Sequence, residues 1–165
     1  MKVPAQVYDF SPNDIDWITS ELRRLLESKG FLTMGKYGEQ FEQEFARYHG
    51  ARYGVATNSG TAALEIILRT LNVAGGEVVV PANTFAATAF AVIHAGALPI
   101  FADIQQDMTL DPADAVKRVR ANTRAIITVH IGGLLSPATL QLAELCRARN
   151  IFLIEDADLS MPLFP

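Results

Sequence analysis

Residues 57–64 (TNSGTAAL) carry the polar groups of this sequence that are best suited to binding an anion. They lie where an apolar strand pattern ends and a helical pattern begins, so free backbone N–H groups, hydroxyls and the positive end of the helix dipole converge there. This arrangement is typical of a phosphate site. The same pattern also suits a helix cap formed by Ser59 or Thr61, and the residues alone leave both interpretations open.

Residues 154–157 (IEDA) place two acids at the end of an apolar strand pattern. The carboxyl ends of parallel strands form the edge at which open α/β sheets bind ligands. Because side chains alternate along a strand, Glu155 and Asp156 are expected on opposite faces of the sheet, so they are not a paired general acid and base. One of them is expected to contact a ligand, although an acid here also suits the cap of a following helix.

Residues 81–88 (PANTFAAT) follow another apolar strand pattern and put the aromatic ring of Phe85 at the same edge. A flat cofactor could stack on a ring in this position. The alternative is a core phenylalanine at the start of a helix.

The histidines and the cysteine show none of the spacings that metal sites or nucleophiles need. His49, His94 and His130 are scattered, and Cys146 has no nearby partner. We therefore predict no metal site and assign none of these residues a catalytic role. The double glycine at residues 132–133 lacks the G-x-G-x-x-G pattern, which disfavours a nicotinamide-binding oxidoreductase.

The elements that position these groups follow an α/β pattern. Apolar spacing predicts one helix from Pro12 to Gly30 and a second that includes Phe41 and ends at Gly50. From residue 53 onward, short apolar runs alternate with helical segments, which is typical of a parallel sheet covered on both faces. Strands are predicted at residues 53–56, 77–80, 97–101, 125–129 and 151–154, and helices between them at residues 61–71, 86–95, 112–119 and 137–150.

Composition narrows the class of protein. A chain of 165 residues with net charge −4 fits one globular domain and gives no basic surface for nucleic acid or anionic lipid. A single cysteine excludes an internal disulfide and favours a reducing compartment. No uncharged apolar run reaches the roughly 18 residues of a membrane span. We therefore expect a cytoplasmic protein without nucleic-acid or membrane partners.

Five segments in order resemble the DegT/DnrJ/EryC1/StrS family, the sugar aminotransferases of pyridoxal-phosphate fold type I. The resemblance covers the sequence from about Gly30 to Asp156. Its segments are residues 35–42 (GKYGEQFE), 58–64 (NSGTAAL), 80–88 (VPANTFAAT), 129–133 (VHIGG) and 154–157 (IEDA).

The resemblance implies a cofactor and a role for four residues. The cofactor is pyridoxal 5′-phosphate, with Gly60 and Thr61 at its phosphate, Phe85 stacked on its pyridine ring and Asp156 paired with its pyridine nitrogen. The implied reaction transfers an amino group from an amino acid to a keto-sugar, usually nucleotide-linked. Members of the family are homodimers, so a homodimer is the implied assembly.

The sequence also departs from the family. The family has glutamine or histidine three residues after the aspartate, whereas this chain has Leu159 within a divergent tail at residues 158–165. None of the lysines, Lys2, Lys29, Lys36 and Lys117, matches the Schiff-base lysine of the family. We therefore predict a truncated N-terminal part that contains no catalytic residue and is inactive alone. The alternative is a non-catalytic ligand-binding or complementing half-domain that pairs with another chain.

The resemblance also implies how the strands are arranged. The fold type I sheet has the strand order 3-2-4-5-6-7-1, so the first predicted strand, at residues 53–56, would pair only with a seventh strand that this chain lacks. The predicted fold is thus an incomplete fold type I large domain, mainly a parallel sheet flanked by helices. The predicted divisions are an N-terminal helical segment at residues 1–52, the partial cofactor-binding domain at 53–157 and the tail at 158–165.

Overall fold

A computed structural model describes residues 9–157, which divide after Ala56 into two compact units. The predicted domain boundary after residue 52 lies slightly earlier in the chain. The predicted tail at residues 158–165, including Leu159, lies outside the described residues.

The first unit contains the two predicted N-terminal helices, α1 (Pro12–Glu27) and α2 (Lys36–Tyr48). Ser11 caps α1 in a capping box with Asp14, and Pro12 occupies the first turn, where a missing N–H has no cost. The two helices are joined by a hydrogen bond from the Tyr37 hydroxyl to Glu21. Both helices were predicted from the apolar spacing, and both are present.

The predicted strand at residues 53–56 is wrong. These residues follow α2 without forming a strand, and the side chains of Tyr53 and Val55 are 80% and 77% exposed. The N–H of Ala56 donates to a Glu42 carboxylate oxygen at 2.8 Å, which is a side-chain acceptor in place of a strand partner. A strand needs a neighbour to satisfy its backbone, and the described residues supply none for this segment.

The second unit is a four-stranded parallel sheet with helices between its strands. The strands run in the order β2-β1-β3-β4, which corresponds to the 3-2-4-5 part of the order implied by the resemblance. The elements are α3 (Gly60–Thr70), β1 (Glu77–Pro81), α4 (Ala86–His94), β2 (Leu98–Ala102), α5 (Pro112–Arg118), β3 (Thr123–Val129), a 3-10 turn (Ile131–Gly133), α6 (Thr139–Arg149) and β4 (Phe152–Asp156).

The core has one layer on each face of the sheet. Alternate strand residues such as Val80, Ile127 and Ile154 pack against α3 and α4. The intervening residues, including Val79 and Ile126, pack against α5 and α6. Both faces are covered along the central strands β1 and β3, which explains why these two strands read as continuous apolar runs. No helix in the described part of the chain is both long enough and apolar enough to cross a membrane.

Candidate functional site

The carboxyl ends of the strands bring three of the predicted segments to one edge of the sheet. Val129 at the end of β3 pairs with Asp156 at the end of β4, and Pro81 ends β1 opposite Ala102. Residues 82–88 leave β1 at this edge, and residues 130–133 leave β3 there. This carboxyl edge is the ligand-binding position of open α/β sheets.

Helices α3 and α4 both begin at the carboxyl edge. The end of α3 at Thr70 is joined by a short connection to the start of β1 at Glu77, so the beginning of α3 lies toward the opposite end of the strand. The guanidinium of Arg69 donates to the carbonyl oxygen of His94 at 2.5 Å, which places the end of α4 beside the end of α3. The helix starts at Gly60 and Ala86 therefore lie toward the carboxyl edge.

The start of α3 separates the two interpretations of residues 57–64. Ser59 is the N-cap, and its hydroxyl accepts the N–H of Ala62 at 3.2 Å. The N–H groups of Gly60 and Thr61 make no hydrogen bond to another described residue, as expected for first-turn amides. The cap belongs to Ser59, which leaves two backbone donors and the half-buried Thr61 side chain for a ligand.

Asp156 is held from the side of α4. The hydroxyl of Thr88 donates to the Asp156 Oδ2 at 3.2 Å, and the Thr88 and Thr84 hydroxyl oxygens are 2.8 Å apart. Thr88 is 1% exposed and Asp156 is half-buried. A carboxylate held at the carboxyl end of β4 suits a ligand that presents an N–H donor.

Phe85 is not a core residue. It is the N-cap of α4, and its side chain is 80% exposed. The loop before it is anchored by the N–H of Ala82, which donates to the carbonyl of Ala102 at 2.8 Å, and by Asn83, which donates to the carbonyl of Met108 at 3.3 Å. An exposed ring on an anchored loop offers a flat apolar surface at the carboxyl edge.

Glu155 lies on the opposite face of the sheet from Asp156, as strand alternation predicted. Its carboxylate contacts the Nε2 of His130 at 3.1 Å, and the N–H of Ser136 donates to the Nδ1 of the same ring at 3.1 Å. A backbone N–H can only donate, so Nδ1 is unprotonated and the neutral ring carries its hydrogen on Nε2. The hydrogen bond from Ser136 to His130 was not predicted, because it depends on the loop that brings Ser136 back to the end of β3.

The positive φ angles of Gly132 (61°) and Gly133 (84°) produce that return. Left-handed backbone is accessible to glycine at little cost, so the double glycine serves this turn rather than a dinucleotide. The double glycine is visible in the sequence, but the residue that this turn brings back to His130 is not.

Cys146 lies in the core on the α6 side of the sheet. Burial raises the pKa of its thiol to about 11, because an apolar environment disfavours the thiolate. Burial therefore disfavours the thiolate, which is the form of cysteine that acts as a nucleophile. Within residues 9–157, no group of three or more histidine, cysteine or carboxylate side chains is arranged to hold a metal ion.

Comparison with known proteins identifies a family and close structural neighbours. The DegT/DnrJ/EryC1/StrS aminotransferase family model matches residues 13–161. The chain is 40% identical over 139 residues to the spore coat polysaccharide biosynthesis protein SpsC of Bacillus subtilis, covering 83% of this chain and 35% of that protein. It is 38% identical over 139 residues to the dTDP-3-amino-3,4,6-trideoxy-alpha-D-glucose transaminase of Streptomyces venezuelae, covering 82% and 36%.

Two solved structures show the same fold. NtdA from Bacillus subtilis with bound cofactor PMP superposes with a TM-score of 0.83 at 32% identity, covering 92% of this chain and 35% of that chain. The aminotransferase from Psychrobacter cryohalolentis gives a TM-score of 0.83 at 29% identity, covering 92% and 38%. These neighbours are fold type I aminotransferases, so the predicted fold class is confirmed. The chain spans about a third of the length of the curated relatives it matches.

Proposed function

Since this chain belongs to the DegT/DnrJ/EryC1/StrS aminotransferase family, we propose that it forms the pyridoxal-phosphate-binding part of a sugar aminotransferase. The observation that carries the proposal is the hydrogen bond of 3.2 Å between Thr88 and Asp156. It joins the α4 start, which carries Phe85, to the carboxylate at the end of β4. The family match and this contact support the same assignment of the carboxyl edge.

The start of α3 is the proposed phosphate site. Gly60 and Thr61 supply two backbone N–H donors at the positive end of a helix, and Ser59 already satisfies the next amide. A phosphate dianion needs several donors at one point, and a helix start provides them with favourable charge. The residues present therefore fit the phosphate of the cofactor.

Asp156 is the proposed partner of the pyridine nitrogen, and Phe85 is the proposed stacking ring. A carboxylate facing the nitrogen holds a proton on it, and the exposed Phe85 ring offers the face of an aromatic side chain. When bound, the cofactor supplies an electron sink for amino-group transfer, which a protonated ring nitrogen strengthens. The contribution of this chain is to bind and orient the ring and to hold the proton on its nitrogen.

The proposed substrates are a keto-sugar and an amino acid. This assignment rests on relatives such as the 3-oxo-glucose-6-phosphate:glutamate aminotransferase of Bacillus subtilis, which is 35% identical over 160 residues and whose name gives a keto-sugar and an amino acid. Because the chain spans about a third of such relatives, the complete reaction and a homodimeric assembly are proposals for the whole protein.

We also propose that the 165-residue chain binds the cofactor without a covalent bond. Lys117 lies on α5, on the sheet face opposite Asp156, and none of the four lysines matches the Schiff-base lysine of the family. Treatment with pyridoxal phosphate and borohydride, followed by peptide mass spectrometry, is expected to give no adduct specific to one lysine.

Binding of pyridoxamine 5′-phosphate (PMP) tests the proposal, because this form of the cofactor needs no lysine. Its fluorescence is titrated with the 165-residue chain, with Asp156→Asn and with Glu155→Gln. The neighbouring acid is a matched control, because it lies on the opposite face of the sheet. Loss of a charge-assisted hydrogen bond at Asp156 is expected to weaken binding by about tenfold or more. Absence of wild-type binding, or equal losses in both variants, would contradict the proposal.

A further inference from the structure

Two threonine hydroxyls form a hydrogen-bonded chain that ends on the Asp156 carboxylate. The Thr84 and Thr88 oxygens are 2.8 Å apart, and Thr88 is 3.2 Å from the Asp156 Oδ2. These residues come from segments 68 positions apart in the sequence, so the contact is tertiary. Neither threonine was predicted as a site residue from the sequence.

The donor and acceptor roles of the two hydroxyls follow from the carboxylate of Asp156, with which the series of hydrogen bonds ends. An ionised carboxylate can only accept, so the Thr88 hydroxyl donates its single hydrogen to Asp156. The Thr88 oxygen is then an acceptor, and the Thr84 hydroxyl donates to it. A carboxylate has about four acceptor positions, so accepting from Thr88 is compatible with accepting from a ligand as well.

The two hydrogen-bonded threonines belong to the same turn as the exposed Phe85 ring, at the start of α4. Phe85 is the N-cap of α4, and the N–H of Thr88 donates to its carbonyl at 3.0 Å. Thr84 and Thr88 are four residues apart, so their side chains share one side of the turn. The turn at residues 84–88 therefore joins the backbone of Phe85 to the residue that hydrogen-bonds the carboxylate.

We propose that Thr88, supported by Thr84, is a positioning residue that orients the Asp156 carboxylate toward the cofactor ring set by Phe85. The inference rests on the proposed function for its ligand, but the contact itself does not. Thr88 is 1% exposed, so water does not replace its hydroxyl as a donor to the carboxylate. Without that donor, the carboxylate loses a hydrogen bond that favours one orientation.

The first arm of the test uses the unliganded 165-residue chain. Urea unfolding is measured for Thr88→Val, Asp156→Ala and the double variant, because alanine removes the acceptor whereas asparagine would keep one. A direct hydrogen bond predicts a coupling of about tenfold in the unfolding equilibrium constant. Additive effects would overturn the inference, whether or not the chain binds PMP.

Thr128→Val is the matched control. Thr128 is 0% exposed, and its hydroxyl has no hydrogen-bond partner among the described residues. The same substitution there removes a buried hydroxyl without breaking a hydrogen bond to any of them. It lies on β3, and no coupling to Asp156→Ala is expected.

The second arm measures the cofactor ring directly. PMP labelled with ¹⁵N at the ring nitrogen is bound to the chain, and its NMR shift is followed against pH. In Thr88→Val we expect the ring nitrogen to lose its proton about one pH unit lower and the affinity to fall roughly fivefold to tenfold. Thr88→Ser, which keeps the hydroxyl, is expected to restore both values.

The outcomes separate the positioning role from a structural one and from the proposed function. A Thr88→Val variant that is less stable but has the wild-type ring titration would overturn the positioning role. Failure of the wild-type chain to bind PMP would contradict the proposed function, while the coupling measurement still decides whether Thr88 holds Asp156.

Discussion

Replacing Ser59 or Thr61 separates the capping of α3 from the binding of a phosphate. In the unliganded chain, Ser59→Ala removes the acceptor for the Ala62 N–H, which donates to it at 3.2 Å. Loss of an N-cap costs about 1 kcal/mol, or roughly 2–4 °C in Tm for a chain of this size. Thr61→Val keeps the shape of a half-buried side chain whose hydroxyl makes no hydrogen bond to another described residue. Its expected cost is within about 0.5 kcal/mol.

The order reverses when PMP is titrated into the same variants. The Thr61 hydroxyl is a proposed phosphate donor, and a hydrogen bond to a charged group contributes about 1.5–3 kcal/mol, so Thr61→Val is expected to weaken binding by about tenfold or more. Ser59→Ala leaves the Gly60 and Thr61 backbone donors in place and is expected to change affinity by no more than about threefold. Urea unfolding and PMP fluorescence give the two rankings.

One result would refute this division of roles. If Thr61→Val bound PMP like the wild type while Ser59→Ala lost stability, residues 57–64 would cap α3 and nothing more. Equal stability losses would instead show that Thr61 shares the cap, contrary to its lack of a hydrogen bond to the described residues.

Three further predictions concern the face of the sheet opposite Asp156. Since burial raises the pKa of Cys146 to about 11 from 9.0, its reaction with a thiol reagent at pH 8 should be about 100-fold slower in the folded chain than in urea, and an equal rate would contradict the burial. The unfolded thiol ionises first as pH rises, so the folding free energy contributed by this group should fall between pH 9 and 11 and be unaffected at neutral pH. His130→Leu should cost about 1–3 kcal/mol of stability, because it leaves the Ser136 N–H without its acceptor. His130→Asn should cost less, because its side-chain oxygen can replace Nδ1 as that acceptor. Equal losses of stability for the two variants in urea unfolding would contradict the assignment of Nδ1 as the acceptor.

The sequence predicted the elements wherever local pattern and tertiary pairing agree. The strands that became β1 to β4 were found because each is an apolar run with a neighbour on the sheet, and their order followed from the resemblance. Residues 53–56 show the same kind of pattern but form no strand, because pairing is a property of two segments and no other described segment pairs with this one.

The sequence predicted which residues lie at the carboxyl edge of the sheet but not the hydrogen bonds between them. Phe85 and Asp156 could be assigned to one edge because each follows a strand. The contacts of Thr88 and His130 could not, since they depend on helix rotation and on a loop return that no single segment encodes. The four-residue spacing from Thr84 to Thr88 was the available signal, but it becomes informative only when the partner on β4 is known.

The alternation of side chains along β4 decides on which face of the sheet Asp156 lies. Ile154 is 5% exposed and belongs to the core layer beneath α3 and α4, and Asp156, two residues later, emerges on the same side toward Thr88. The ladder continues one step past the strands, where the N–H of His130 donates to the Asp156 carbonyl at 2.9 Å. A slip of one residue would carry Ile154 out of its core layer and direct Glu155 toward α4. The apolar residue therefore selects which of the two acids meets Thr88, although it contacts no ligand itself.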